Sequence, residues 1–227
     1  LHFGFVEINL TYKIMLSFIE FGKSLSRFVV GAEGNISCRL PGDTFMIKSS
    51  GSSMSCLTED HLVTCDMKGT KVSSNPGRPS MEVGFHSWLY QNTDCKVIAH
   101  THPTNVMKIL CGGLSKEFAS RRMFPDQVVF NGSEACVVPY ATPGEDLVKE
   151  LSKAVTSYHS VPSLILLDNH GIICCAKDFK QAVTMTEICD KSAEIFLAIQ
   201  DLKPSYLSQI QISNILDHNS EIYRKSL

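Results

Sequence analysis

The chain has 227 residues, 44% hydrophobic and 19% charged, with a net charge of −2. That suits one globular domain over residues 1–227 with a sizeable core, and it offers no basic field to recruit nucleic acid or an anionic membrane. No apolar run approaches the roughly 18–20 residues that span a bilayer. The opening LHFGFVEINL lacks the basic segment of a secretory signal. Nine cysteines, with no C-x-x-C spacing, read as reduced thiols of a cytoplasmic protein rather than a disulfide or zinc-knuckle framework.

Residues 10–30 carry Ile14, Phe18, Phe21, Leu25 and Phe28 at spacings of three and four. This predicts an amphipathic helix stopped at Gly31. NISCRL and TFMIKS flank Pro41-Gly42-Asp43 as a hairpin, and HLVTCDM reads as a further strand. Residues 68–79, dense in Gly, Ser and Pro, form a loop. Residues 80–91 read as a helix and 95–102 as a strand. QVVF and ACVVPY read as short strands. Thr142-Pro143-Gly144-Glu145 predicts a helix start, with Thr142 as N-cap, Pro143 in the first helical position and Glu145 closing a capping box. SLILLD and IICCA bracket the turn Asn169-His170-Gly171. Asp178 with Gln181 caps a long helix to about Leu202, and the tail from Ser205 is helical. Helices mixed with short strands joined by short turns predict an α/β or α+β sandwich with a largely antiparallel sheet.

His100 and His102 stand at i and i+2 of a predicted strand, so both rings project from one face and Thr101 from the other. Such a pair begins a zinc site or ends a strand with two satisfied polar residues. His170, in its turn, is a third ligand or a turn histidine capping backbone. Glu82 is a carboxylate beside the metal or a first-turn acid complementing a helix dipole. His61, His86 and His159 read as surface or supporting residues. Other H-x-H patterns fail. Cupins place a glutamate after the pair, which HPTNVMKIL lacks. Metallo-β-lactamase-like hydrolases need Asp and His where Thr104 and Asn105 stand. Amidohydrolase barrels are longer chains.

The motifs GAEGNISCR (31–39), IKSSG (47–51), RPSMEVGFH (78–86), VIAHTHP (97–103), VPYATPGEDL (138–147) and DNHGIICC (168–175) together resemble the class II aldolase/adducin family, above all its fuculose-phosphate aldolases. The resemblance implies an α/β/α sandwich around a central, mostly antiparallel sheet. It implies a homotetramer with active sites between adjacent subunits, and one Zn²⁺ per subunit on His100, His102 and His170 with Glu82 as acid/base. It implies a phosphate pocket at Gly34, Asn35, Ser50, Gly51 and Ser80, and a tail tyrosine, matched by Tyr223. The implied activity is cleavage of a ketose 1-phosphate to dihydroxyacetone phosphate and a short aldehyde, through a metal-stabilised enediolate. Epimerases, decarboxylases, dehydratases and the metal-free adducin heads share the scaffold. Two departures stand out. Met81 replaces a second serine before Glu82. Residues 121–126 lack the family's downstream tyrosine, leaving Asp126 as a substitute proton donor and Arg121 and Arg122 as contacts to an anion or solvated cations.

Overall fold

In a computed structural model, which describes residues 2–218, Asn35–Leu40 (β1) pairs antiparallel with Thr44–Lys48 (β2). The turn between them places Gly42 and Asp43 at φ of 76° and 53°, the positive values that tight hairpins require. Leu62–Asp66 (β3) adds outside β2. Beyond β1 come Val97–Thr101 (β4), Gly171–Ala176 (β7), Leu164–Leu167 (β6) and Cys136–Val138 (β5). The resulting order is β3-β2-β1-β4-β7-β6-β5. Every pairing is antiparallel except β5–β6. The sheet is therefore mixed and mostly antiparallel, as the alternation of short strands and turns implies.

Strand alternation sends neighbouring side chains to opposite faces. Ile36, Cys38, Ala99, Ile172 and Cys174 pack with His2–Leu25 (α1), Thr104–Cys111 (α3), Ser115–Ser120 (α4) and Phe179–Ala198 (α7). Phe45, Ile47, Ile98 and Ile173 pack on the other face against Val83–Asn92 (α2) and Glu145–Val155 (α6). Pro125–Asn131 (α5) leans on α7, and Gln209–Asp217 (α8) on α5. β4 and β7 are buried along their whole length, as central strands covered on both faces must be. Asp178 caps α7, accepting from Gln181 N at 2.7 Å.

Two local expectations need correction. QVVF is not a strand but part of α5. Pro125 at its start has a φ already suited to a helix and lacks only an N–H that no helix needs there, while Gly132 at φ 79° ends it. The helix after Pro143 is capped by Gly144, with no side-chain cap from Thr142. Thr142 contributes its carbonyl instead, accepting from Leu147 N at 3.2 Å.

Candidate functional site

Three elements meet at one end of the sheet. Pairing of β1 with β4 sets Asn35 opposite His100. His102 follows the end of β4, its backbone N–H donating to Phe28 O at 3.0 Å. The β6–β7 turn delivers His170, with Asn169 at φ 55° and His170 N bonded to Leu167 O at 3.1 Å. α2 begins at Glu82, aimed at the same spot from the opposite layer.

The three histidines converge. Their ligand atoms lie within 4.8 Å of one another, and His100 Nε2 stands 3.1 Å from His102 Nε2. Nitrogens at the zinc distance of about 2.0–2.1 Å from one tetrahedral ion lie about 3.3–3.4 Å apart, so this spacing fits such a centre. The Glu82 carboxylate completes the group, with Oε2 3.3 Å from His100 Nε2 and Oε1 3.3 Å from His170 Nε2. His100 Nδ1 lies 2.9 Å from Ile172 O. A carbonyl only accepts, so Nδ1 carries the proton and Nε2 presents its lone pair. Glu33 approaches His102 Nδ1 at 3.5 Å and favours the same tautomer there. Burial, and after it the adjacent His100, lowers the His102 and His170 rings to about 4. Both are neutral near pH 7, the form that binds a metal. The donor set and its spacing fit a divalent cation.

Burial pushes the Glu82 carboxyl up, but the His100 and His170 rings and the Asn35 amide outweigh it and hold the group at about 2. Glu82 is thus ionised. Asn35 Nδ2 donates to Glu82 Oε2 at 2.7 Å. Behind Asn35 lies His86, wholly buried, its Nε2 against Asn35 Oδ1. Ser37 Oγ sits 2.7 Å from both His86 Nδ1 and the Tyr90 hydroxyl. Of the surface and supporting roles open to it, His86 therefore takes the supporting one, a core histidine behind the site.

His102 and His170 open onto a cavity of about 390 Å³ that Gly34, Asn35, Ser50, Gly51, Ser80 and Glu82 also line, with His100 buried behind them. All five expected phosphate-pocket residues thus face one space. Gly34 is required there: at φ +63°, its Cβ would lie 2.5 Å from His100 O. Ser80 Oγ accepts from Glu82 N at 3.3 Å, which leaves its O–H to donate. The sequence reading missed Lys48. It lines the cavity although only 1% exposed, and its ammonium donates to Ser52 O at 2.6 Å and Ser49 O at 3.2 Å. Burial lowers it to about 8. The available signal was a lysine closing an otherwise apolar strand next to SSG.

Other expected residues lie elsewhere. Asp126 occupies the first turn of α5 and does not line the cavity. Arg122 is neither a solvated cation nor an anion contact. It is buried, its guanidinium donating to Gly132 O at 2.7 Å and Ala119 O at 3.0 Å. Met81 lines the cavity yet is 80% exposed. Tyr223 lies outside the described residues. Among the described residues, clefts of about 480 Å³ between α4 and α6 and between α1 and α7 hold no cluster of metal-ligating groups. No helix among the described residues is long and apolar enough to cross a membrane.

Residues 21–197 match the model of the class II aldolase and adducin N-terminal domain. The chain belongs to that family. Among this class II aldolase-family chain's relatives, a 3-oxo-tetronate 4-phosphate decarboxylase of Haemophilus influenzae is 29% identical over 87% of this chain and 93% of its own length. An L-fuculose phosphate aldolase of Methanococcus maripaludis is 30% identical over 78% of this chain and 91% of its own. The fold agrees with the crystal structure of YgbL from Klebsiella pneumoniae at a TM-score of 0.79 and 25% identity, covering 90% of this chain and 98% of that one.

Proposed function

We propose that this family member is a metal-dependent carbon–carbon lyase whose reaction passes through the enediolate of dihydroxyacetone phosphate. The observation that carries it is the convergence of three histidine nitrogens and the Glu82 carboxylate at the mouth of a cavity holding Lys48 and Ser80. The names of the two relatives support it chemically. Breaking C3–C4 of a ketose 1-phosphate leaves the electron pair on C3 and releases an aldehyde. Losing CO₂ from C1 of a 3-oxo-tetronate 4-phosphate leaves the pair on C2. Both give the same enediolate, which protonates to dihydroxyacetone phosphate.

His100, His102 and His170 hold the metal, Zn²⁺ in our reading, which when bound supplies the Lewis acidity that an enediolate needs. Glu82, already ionised, takes up and returns the proton at the enediolate carbon. Ser80 and the Gly34 and Gly51 backbones approach the phosphate without bulk, and Lys48 supplies positive charge. In cleavage the C4 hydroxyl proton, lost as the aldehyde forms, passes to Tyr223 or Asp126 of a neighbouring subunit in a homotetramer, which returns it in the condensing direction. The exposed Met81 at the cavity suits such an interface.

We take the ketose 1-phosphate as substrate. Among the described cavity residues Lys48 is the only Lys or Arg, against Glu33 and Glu82. Adding a divalent ion leaves one positive charge, which matches a single phosphate better than a phosphate with a carboxylate. The greater share of the chain aligned to the decarboxylase favours the second reading.

The shared step is tested with dihydroxyacetone phosphate itself in D₂O. The zinc-loaded protein should exchange a hydroxymethyl hydrogen for deuterium, read by NMR. Glu82→Gln should slow exchange by about 10²–10⁴-fold, the usual weight of a general acid–base. No exchange by the wild type overturns the proposal. Release of aldehyde from fuculose 1-phosphate, or of CO₂ from 3-oxo-tetronate 4-phosphate, then separates the two readings.

A further inference from the structure

We propose that His86 and Asn35 are positioning residues for Glu82, forming a one-way hydrogen-bond chain that runs from Tyr90 through Ser37, His86 and Asn35 to the carboxylate. The proposal rests on Glu82 being the acid–base of the reaction above.

The direction follows from donor and acceptor chemistry alone. An ionised carboxylate only accepts, so the Asn35 group 2.7 Å from Glu82 Oε2 is its NH₂. Asn35 Oδ1 then faces His86 Nε2, which must carry the ring proton. The ring is wholly buried, and burial keeps it neutral. Its Nδ1 is consequently bare and accepts from the Ser37 hydroxyl at 2.7 Å. Ser37 has given its only proton, so it accepts from Tyr90 OH, also at 2.7 Å. Each group's role forces the next. The chain is also rigid. Phe85 stacks on the His86 ring with centroids 4.4 Å apart, and Asn35, Ser37 and Tyr90 are all buried.

The consequence concerns the carboxylate's rotation. Glu82 Oε1 has no hydrogen-bond partner among the described residues, so Oε2 is the anchored oxygen and Oε1 the one left for chemistry. An unrestrained Asn35 amide can turn its oxygen toward Glu82, which repels the carboxylate. With His86 Nε2–H in place that orientation would leave two donors facing each other. His86 thus selects the Asn35 rotamer that anchors Glu82. Asn35 serves the base, although it lines the cavity expected to take the phosphate.

Three measurements on the full-length protein test this. First, ¹⁵N NMR of the wild type should find His86 as the Nε2–H tautomer; the Nδ1–H tautomer reverses the chain and overturns the proposal. Second, His86→Phe, which keeps the stacking ring, should slow deuterium exchange into dihydroxyacetone phosphate by about 10–100-fold, the range for losing support to a charged group. His86→Gln, with an amide donor, should recover most of that loss. Third, in a Glu82→Gln background His86→Phe should cost nothing further. An equal loss in both backgrounds means a structural role only and overturns the proposal. If His86→Phe fails to fold, the tautomer and the same cycle with Asn35→Ala decide. If wild-type exchange is absent, the function proposed above fails, while the tautomer still decides the chain.

Discussion

His86 links the proposed anchoring of Glu82 to acid stability at the level of a single residue. Burial lowers its folded-state value from 6.5 to about 3, with the His100 ring adding to the shift. An unfolded chain takes up this proton near pH 6.5, while the folded one resists until about pH 3. Between these values the unfolded state binds more protons, so stability falls as pH drops through that window. His102 and His170, at about 4, act in the same direction when no metal is bound. In chelator-treated protein, the melting temperature of His86→Gln should therefore fall less steeply from pH 7 to pH 4 than that of the wild type. Parallel curves would assign the acid sensitivity to other groups. Lys48 and His86 also mark where residue-level reading stops. Sequence reading gives the lysine in IKSSG no role and leaves the histidine in MEVGFH open between surface and supporting roles, and only packing on both sides buries them.

Among the elements, the β6–β7 turn is where geometry is tightest. A Cβ on Gly171 would lie 2.5 Å from His102 Cδ2, 2.6 Å from Thr101 O and 3.2 Å from His100 Cε1. The Thr101 carbonyl is fixed in β4 and the His100 ring is buried, so Gly171→Ala must push β4 and the turn apart where the ligands meet. We expect a folded protein whose zinc affinity, read by chelator competition, drops about 10–100-fold, as when ligand orientation is disturbed. Unchanged affinity would refute that reading of the glycine. The hairpin, β4, β6, β7, α2 and α7 were legible because each has a clear period or a strong cap. The segment 104–131 was not. Its three helices have eight, six and seven residues, below the roughly 12–15 that are stable alone. Contacts of α3 and α5 with α7 hold them in place. Val128-Val129-Phe130 favours a strand locally, and packing overrides it.

For the molecule as a whole, a metal on His100, His102 and His170 would join β4 to the β6–β7 turn, two parts of the chain far apart in sequence. A ligand that binds only the folded state stabilises it by about 2.7 kcal/mol at a hundred times its dissociation constant. Zn²⁺ should therefore raise the melting temperature of the wild type and leave that of His102→Ala unchanged. A similar rise in both would place the metal elsewhere. Sedimentation of the full chain tests the proposed homotetramer.

Spacing and motif order carried the family, the sheet's mostly antiparallel character and the residues of the candidate centre, because strand parity and turn chemistry are local and survive in one dimension. Tertiary structure decided what depends on three-dimensional closeness. It placed Lys48 in the cavity and buried Arg122 among carbonyls. It turned the Asn35 amide to Glu82 and drew His86 into a hydrogen-bond chain. The last two follow from the pairing of β1 with β4 and from α2 packing above them, contacts between segments that no local pattern connects.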